Sequence, residues 1–152
     1  MSNNTDVIVV GGGMVGALAA AALGDCGVDV VLLEQKTPPA FDEDNYDLRV
    51  SALSESSQRM IDAVGAWQHI QSLRSCPYRR MLVWDSESTT QTMFDSSRIG
   101  KPCLGHIVEN RVIQLVLWQR IKQLENVTVV CPATTQSVVF DTDQVTVSTD
   151  AG

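Results

Sequence analysis

Residues 6–35 read DVIVVGGGMVGALAAAALGDCGVDVVLLEQ and hold the most regular pattern in the chain. The β-branched run at residues 6–10 predicts a strand buried on both faces, as in a parallel sheet. The alanine-rich residues 14–26 predict a helix, which Gly27 ends. Residues 28–33 predict a second buried strand. This order predicts a strand–helix–strand unit of an α/β fold, with its two strands parallel.

The glycines between the first strand and the helix follow the pattern G-x-G-x-x-G. This pattern indicates nucleotide binding when, as here, a strand precedes it and a helix follows it. Gly11 then permits a tight turn, Gly13 lets the backbone approach a pyrophosphate, and Gly16 lets the helix pack closely against the strand. Met14 and Val15 begin the helix, whose N-terminal N–H groups favour phosphate. The alternative is that the glycines serve only a tight turn.

Glu34 ends the second predicted strand, eighteen residues after Gly16. A carboxylate in this position accepts hydrogen bonds from the two hydroxyl groups of a ribose, and it disfavours a ribose that carries a 2′-phosphate. We therefore expect FAD or NAD, rather than NADP, at the glycine loop.

The middle of the chain predicts a loop, a helix and two short strands. Residues 37–47 carry two prolines and four acids, which is typical of a surface loop. Ser54 is a good helix cap. The apolar residues that follow it at helical spacing are Met60, Ile61, Val64 and Trp67. Residues 81–84 and 92–94 predict two short strands that pair antiparallel.

The last third of the chain predicts a helix, a strand and a hairpin. Asn110 is expected to cap an amphipathic helix. Its apolar stripe consists of Ile113, Leu117, Ile121 and Leu124. Residues 127–130 predict a third buried strand. Residues 136–140 and 144–149 alternate in polarity, which predicts a hairpin with one solvent-exposed face.

Composition excludes several classes of partner. The chain has 18 Asp and Glu against 11 Lys and Arg, a formal charge of −7, which disfavours nucleic acid. Acids dominate residues 1–49 and bases dominate residues 74–122, an asymmetry typical of a solvated surface.

The four cysteines are spread singly, so we expect no metal site. The longest nearly apolar run, residues 14–23, is too short to cross a membrane, and no leader is evident, so we expect a cytoplasmic protein.

Some residues invite a functional interpretation but have an ordinary structural one. A single histidine beside a glycine is more typical of a structural role, which we expect for His106. We expect the three tryptophans, Trp67, Trp84 and Trp118, to be core residues. Arg79 and Arg80 predict a solvated face, with an anionic membrane surface or partner as the alternative.

The glycine segment and Leu33-Glu34-Gln35 resemble the flavin-dependent aromatic hydroxylases, the class A flavoprotein monooxygenases. Within that class, four later segments resemble the ubiquinone-biosynthesis hydroxylases: LRVSAL at 48–53, GAW at 65–67, VWD at 83–85 and GHIVEN at 105–110. The segments CPYRR at 76–80 and PCLG at 102–105 are most similar to members that act on a polyprenyl benzoquinol.

This resemblance implies a Rossmann-like FAD-binding domain in which a parallel sheet carries an antiparallel hairpin. It implies an enzyme that uses NAD(P)H and O₂ to hydroxylate the ring of a polyprenyl phenol or quinol. It also implies contact with other ubiquinone-biosynthesis proteins and peripheral attachment to the inner face of the membrane. The class has no metal, and no residue of this chain is identified as catalytic.

The resemblance also implies positions at the cofactor. Residues at the pyrophosphate would be Gly11, Gly13, Met14, Val15 and Gly16, and residues at the adenosine ribose would be Glu34 and Gln35. Arg49 would lie near the flavin or the pyrophosphate. A salt bridge from Arg49 to the acidic loop before it is the alternative. Asn110 stands where many relatives have an arginine that contacts the cofactor, and its alternative role is to cap its helix.

Members of this class run to roughly twice this length or more, as a cofactor domain plus a substrate domain requires. Their Asp-Gly and Gly-Asp segments are missing here. We therefore expect residues 1–152 to be the N-terminal part of an FAD-binding domain, with residues 74–105 holding the first strands of the substrate-domain sheet and projecting toward that domain. The first strand is then an open edge, which predicts self-association or a disordered glycine loop.

Two other functions share the same opening pattern. One is an FAD-linked amine or hydroxy-acid oxidase, and the other is a stand-alone nucleotide-binding module. If residues 1–152 are a fragment of a hydroxylase, we expect them to be inactive alone and to bind FAD weakly or not at all.

Overall fold

The computed structural model describes residues 4–38, 40–87 and 90–150. Its strands are β1 (Val7–Val10), β2 (Val30–Leu33), β3 (Val50–Ser54), β4 (Cys76–Tyr78), β5 (Arg80–Trp84), β6 (Gln91–Asp95), β7 (Gly105–Glu109), β8 (Val127–Val130), β9 (Thr135–Phe140) and β10 (Val145–Thr149). Its α-helices are α1 (Met14–Asp25), α2 (Glu55–Ala63), α3 (Trp67–Leu73) and α4 (Asn110–Ile121), and Ser96–Ile99 forms a 3₁₀ turn. The α/β class predicted from the sequence is confirmed.

A parallel sheet with the order β1-β2-β8 forms the centre of the fold. The predicted strand–helix–strand unit and the third strand are confirmed. Val30, Leu32 and Leu33 are buried because β2 lies between two strands. The expectation that the first strand is buried on both faces is wrong, since β1 is an edge strand among the described residues and Val10 is 57% exposed.

Helices α1 and α4 pack together beside this sheet. Ala17, Ala20 and Ala21 lie on the buried side of α1, and their small side chains let the two helices approach closely. The buried face of α4 carries Ile113 and Leu117, as its apolar spacing predicts. These contacts fix α4 next to the loop that precedes α1.

A second sheet, with the antiparallel order β3-β7-β4, is absent from the sequence prediction. Its strands read VSALS, GHIVE and CPY, and none shows a clear apolar alternation. Strand β7 lies in the centre and pairs Glu109 with Val50 and Ile107 with Cys76. Tertiary pairing, rather than local pattern, therefore makes these segments strands.

The single helix predicted after Ser54 begins as expected, but the structure divides it into α2 and α3. The Ser54 hydroxyl oxygen accepts the N–H of Ser57 at 3.3 Å, which is the cap that the sequence indicates. Gly65 then has a φ of +72°, so the chain turns before α3. Trp67 is buried as predicted, whereas Met60 is 60% exposed and lies outside the core.

The two predicted antiparallel pairs, β5–β6 and β9–β10, both form. Both are largely exposed, and this corrects two expectations. Trp84 on β5 is 64% exposed and is not a core residue. Val138 and Val139 are consecutive in β9, so they face opposite sides. They are 43% and 57% exposed, so neither face of this hairpin is buried.

Candidate functional site

The glycine loop joins β1 to α1 and has the geometry of a tight crossing. Gly11 follows the last residue of β1 and has a φ of +101°, and its N–H donates to the carbonyl oxygen of Leu33, the last residue of β2, at 2.8 Å. A Cβ at Gly16 would lie 1.9 Å from the carbonyl oxygen of Gly11. A Cβ at Gly13 would meet nothing within 4 Å. Space is therefore filled at Gly16 and open at Gly13.

The N-terminus of α1 begins at the open space beside Gly13. Gly13 is the cap residue, in extended conformation and with no side chain to accept a helix N–H. The first intrahelical bond runs from Ala17 to Gly13, at 2.9 Å. Among the described residues, no acceptor is found for the N–H groups of Met14, Val15 and Gly16, and no acid lies in the first turn. This helix end therefore suits an anion.

Glu34 lies against the glycine loop. Its Oε2 accepts the N–H of Gly12 at 2.6 Å, and its Oε1 accepts the N–H of Lys36 at 2.9 Å. Gln35 is exposed beside it. Each carboxylate oxygen can accept about two hydrogen bonds, so Glu34 keeps acceptor capacity for a ribose hydroxyl.

Gly12, the middle glycine, is not singled out by the sequence pattern. Its carbonyl oxygen accepts the side-chain N–H groups of Gln114 and Trp118, each at 2.7 Å. A Cβ at Gly12 would lie 2.7 Å from the Trp118 ring and 3.0 Å from the Cβ of Glu34. The sequence feature that could have indicated this contact is the pair Gln114 and Trp118, two hydrogen-bond donors four residues apart on the otherwise apolar side of α4.

Arg49 and Asn110 are brought together at the end of the β3–β7 pair. The N–H of Asn110 donates to the carbonyl oxygen of Arg49 at 3.0 Å. The Asn110 Oδ1 accepts the hydroxyl of Ser51 at 2.6 Å, and Glu109 is the residue that precedes the helix. The expectation that Asn110 caps α4 is therefore wrong, because its oxygen is bound to another strand.

Arg49 is an exposed residue. Among the described residues, no carboxylate forms an ion pair with it, and only its backbone N–H contacts Asp47. The alternative interpretation of Arg49 as a salt-bridge partner of the acidic loop is thus wrong. Asn110 is the first residue of α4 and lies one turn before Gln114, which donates to the glycine loop. The Arg49–Asn110 contact and the glycine loop therefore lie on the same side of α4.

A buried charge cluster holds the acidic loop in place. Glu109 is 4% exposed and forms ion pairs with Arg74 and Arg111, each at 2.9 Å. Both arginines also donate to the carbonyl oxygens of Asp42 and Asn45. The two arginines therefore tie the backbone of the acidic loop to the start of α4, while their ion-pair partner is Glu109 rather than an acid of that loop.

The pKa of Glu109 reflects opposing effects. Burial raises it, but the hydrogen bond from the Asp47 N–H and the bonds from Arg74 and Arg111 together outweigh burial. The pKa is therefore lowered, and Glu109 stays ionised at neutral pH.

His106 has a structural environment. Its ring meets the edge of Trp67 with 5.0 Å between the ring centroids. Burial lowers the pKa of His106, which keeps the ring neutral. In the part of the chain that the structure describes, the four cysteines are unpaired and no cluster of metal-ligating side chains is found. None of the helices described is both long and apolar enough to cross a bilayer.

A family model described as "FAD binding domain" matches residues 4–150. The chain belongs to this family. FAD is accordingly its cofactor, and the loop fits the pyrophosphate of FAD on two observations. The space at Gly13 is open, and the N–H groups at the start of α1 face no acid in the first turn.

Curated relatives of this FAD-binding domain are ubiquinone hydroxylases. The chain is 38% identical over 129 residues to "3-demethoxyubiquinol 3-hydroxylase" of Escherichia coli (strain K12), which covers 84% of the chain and 33% of that protein. It is 41% identical over 128 residues to "Ubiquinone biosynthesis monooxygenase COQ6, mitochondrial" of Mus musculus, which covers 80% of the chain and 26% of that protein. The chain thus spans a third or less of these relatives.

A solved structure shares the fold. The p-nitrophenol 4-monooxygenase PnpA from Pseudomonas putida DLL-E4 superposes with a TM-score of 0.76 at 23% identity, and the match covers 100% of this chain and 38% of that chain. At this identity the likeness establishes the fold alone.

Proposed function

We propose that this chain is the N-terminal, cofactor-binding part of an FAD-dependent monooxygenase that hydroxylates the ring of a polyprenyl benzoquinol in ubiquinone biosynthesis. The observation that carries the proposal is the 38% identity over 129 residues to the Escherichia coli 3-demethoxyubiquinol 3-hydroxylase, an alignment that covers 84% of the chain. The same relatives favour a monooxygenase over an amine or hydroxy-acid oxidase.

In this proposal the glycine loop binds the pyrophosphate of FAD. The N–H groups of Met14, Val15 and Gly16 donate to phosphate oxygens, because they have no acceptor among the described residues. Gly11 and Gly13 let the backbone approach, since a Cβ at Gly13 would stand in the open space that the phosphate needs. The helix dipole adds a favourable charge at the same point.

The other proposed cofactor residues lie on both sides of this loop. Glu34 keeps acceptor capacity for the adenosine ribose, and Gln35 is exposed next to it. Arg49 offers a permanent positive charge toward the pyrophosphate or the flavin, because no described carboxylate neutralises it. Asn110 is held beside Arg49 and provides an amide where an arginine would provide a cation.

The bound FAD would supply the oxygen-transfer chemistry, with NAD(P)H as electron donor and O₂ as oxidant. The chain's own part is to hold the cofactor in place. We further propose that the full-length enzyme is cytoplasmic and works in peripheral contact with the membrane, because a polyprenyl tail partitions into lipid. Contact with other ubiquinone-biosynthesis proteins belongs to the same proposal.

Residues 74–105 are proposed to project toward the substrate domain. Their β5–β6 pair supports this, since its apolar side chains are exposed: Met81, Leu82, Val83, Trp84, Met93 and Phe94. Such a surface is typical of a segment that packs against further polypeptide.

A chimeric enzyme tests the function. Residues 1–152 would replace the matching N-terminal third of the Escherichia coli hydroxylase, and ubiquinone would be measured in cells that lack the native enzyme. We expect ubiquinone to be restored, and a Gly16→Arg chimera to fail. A chimera that purifies with FAD but makes no ubiquinone would contradict the proposed hydroxylation while leaving FAD binding intact.

We also propose that residues 1–152 alone do not hydroxylate and bind FAD weakly or not at all, and the flavin absorbance of the purified protein tests the second part of this proposal. We expect substoichiometric flavin. Stoichiometric yellow protein would show that these residues form a complete FAD site.

A further inference from the structure

Both backbone polar groups of Gly12 form hydrogen bonds to side chains. Its N–H donates to Glu34, while its carbonyl oxygen accepts from Gln114 and Trp118 at 2.7 Å each. The two donors lie four residues apart on α4, so a single helix face carries both. A carbonyl oxygen has two lone pairs, and these two bonds use both.

The bond from Trp118 is buried, and the indole ring also fills the space beside Gly12. A Cβ at Gly12 would lie 2.7 Å from that ring. If the Gly12 carbonyl turned away, the indole N–H would lose its acceptor inside the protein, where water cannot replace it. The carbonyl is therefore fixed toward α4.

The fixed Gly12 carbonyl also sets the direction of the Gly13 N–H. In a planar trans peptide the C=O and the following N–H point in opposite directions. With the Gly12 oxygen directed at α4, the Gly13 N–H is directed away from α4. A Cβ at Gly13 meets nothing within 4 Å, so Gly13 borders open space. The orientation of this peptide thus determines how the loop presents its N–H groups.

We infer that Gln114 and Trp118 are positioning residues of the nucleotide loop: by holding the Gly12 carbonyl they set the Gly12–Gly13 peptide and the start of α1 in the conformation that binds phosphate. They do not touch the cofactor themselves. The inference rests on the proposed pyrophosphate site at this loop, and it adds that α4 is needed to form it.

Two near-isosteric substitutions test the inference. Gln114→Met removes one donor, Trp118→Phe removes the other, and Gln123→Met, at an exposed residue beyond α4, is the control. The protein would be labelled with ¹⁵N-glycine, and amide hydrogen exchange would be measured at its 10 glycines. In the double variant we expect exchange of the Gly12 N–H to rise by about tenfold or more, because a Gly12 residue released by α4 opens its N–H bond to Glu34 more often. Gly24 and Gly105 should be unchanged, which shows that the fold persists.

FAD titration gives the second measurement. We expect the dissociation constant to rise about tenfold in each single variant. Unaltered Gly12 exchange in the double variant would overturn the inference, and if that variant does not fold, Gln114→Met alone decides in the same way. If the wild-type chain binds too little FAD to titrate, as is expected of residues 1–152 alone, the exchange measurement still decides whether α4 holds the loop, and the chimera decides the proposed function separately.

Discussion

The three outer glycines of the loop differ in what surrounds them, and this separates their roles. Gly13→Ala should fold, because its φ of −68° suits alanine and the new Cβ meets nothing within 4 Å. We expect it to cost at most about 1 kcal/mol, as for an alanine at a helix cap. FAD affinity should still fall on the order of tenfold, because the Cβ stands where a phosphate would accept a charge-assisted hydrogen bond.

Gly16→Ala is the matched comparison. Its Cβ would lie 1.9 Å from a backbone oxygen, so β1 and α1 must move apart. We expect a loss of about 1–3 kcal/mol, as overpacking costs in other cores. Urea denaturation and FAD titration of both variants check the pair. Equal stability losses at the two positions would contradict this division of roles.

The sequence predicts the outer glycines but not Gly12, and the reason is physical. The motif describes local turns and the approach of a ligand, which depend on neighbours in sequence. The constraint on Gly12 comes from Trp118 and Gln114, more than a hundred residues away in the chain. The same applies to Asn110, whose type suggests a cap although its oxygen is bound to Ser51 on another strand.

At the scale of elements, Gly65 separates two helices that the apolar spacing predicts as one. A residue with a side chain is disfavoured at its φ of +72° even though the space is open. We expect Gly65→Ala to lower the free energy of unfolding by about 1 kcal/mol, and Gly65→Asn to lower it less. Urea denaturation of the two variants measures this. A stabilised Gly65→Ala would indicate instead that α2 and α3 can join.

Local pattern predicts elements well where one segment supplies its own signal, as for α1, β2 and β8. It misses β3, β4 and β7, which alternate poorly and contain Ser, Gly or Pro. Contacts at the end of β7 join these strands: Glu109 pairs with Arg74, which precedes β4, and accepts the N–H of Asp47, which precedes β3. Such long-range contacts leave no short-range periodicity to read.

The buried Glu109 is therefore expected to control how the acidic loop and β7 stay joined. Its pKa is lowered in the folded protein, so its contribution to stability is present above its unfolded pKa near 4.5 and is lost as the pH falls through the lower folded value. Glu109→Gln should cost about 3–5 kcal/mol at pH 7, since it removes the buried carboxylate that pairs with the part-buried Arg74 and Arg111.

Urea denaturation between pH 7 and pH 3 checks this. The stability of Glu109→Gln should depend less steeply on pH than that of the wild type. Glu55→Gln is the control, because Glu55 pairs with Arg59 and Lys101 at the surface and should matter far less. If both variants lose the same stability, the buried cluster does not hold the loop.

At the scale of the whole molecule, the described fold presents apolar surface in three places: the β1 edge, the β5–β6 pair and the hairpin β9–β10. The β1 edge and this hairpin border a cavity of about 870 Å³ that contains Ile8, Val10 and Phe140. The N–H groups of Val7 and Gly11 donate to the β2 side. By the two-residue period of a strand, those of Ile8 and Val10 face this cavity.

An open strand edge beside apolar side chains favours pairing with another strand. We therefore predict that purified residues 1–152 self-associate, and that Val10→Lys weakens this, because lysine at an edge opposes pairing and Val10 is already 57% exposed. Sedimentation velocity at several protein concentrations measures the association. Met60→Lys, at a 60% exposed position on α2, is the matched control and should associate like the wild type. A wild-type chain that stays monomeric at all concentrations, or two variants that behave alike, would show that the β1 edge is not where copies of the chain meet.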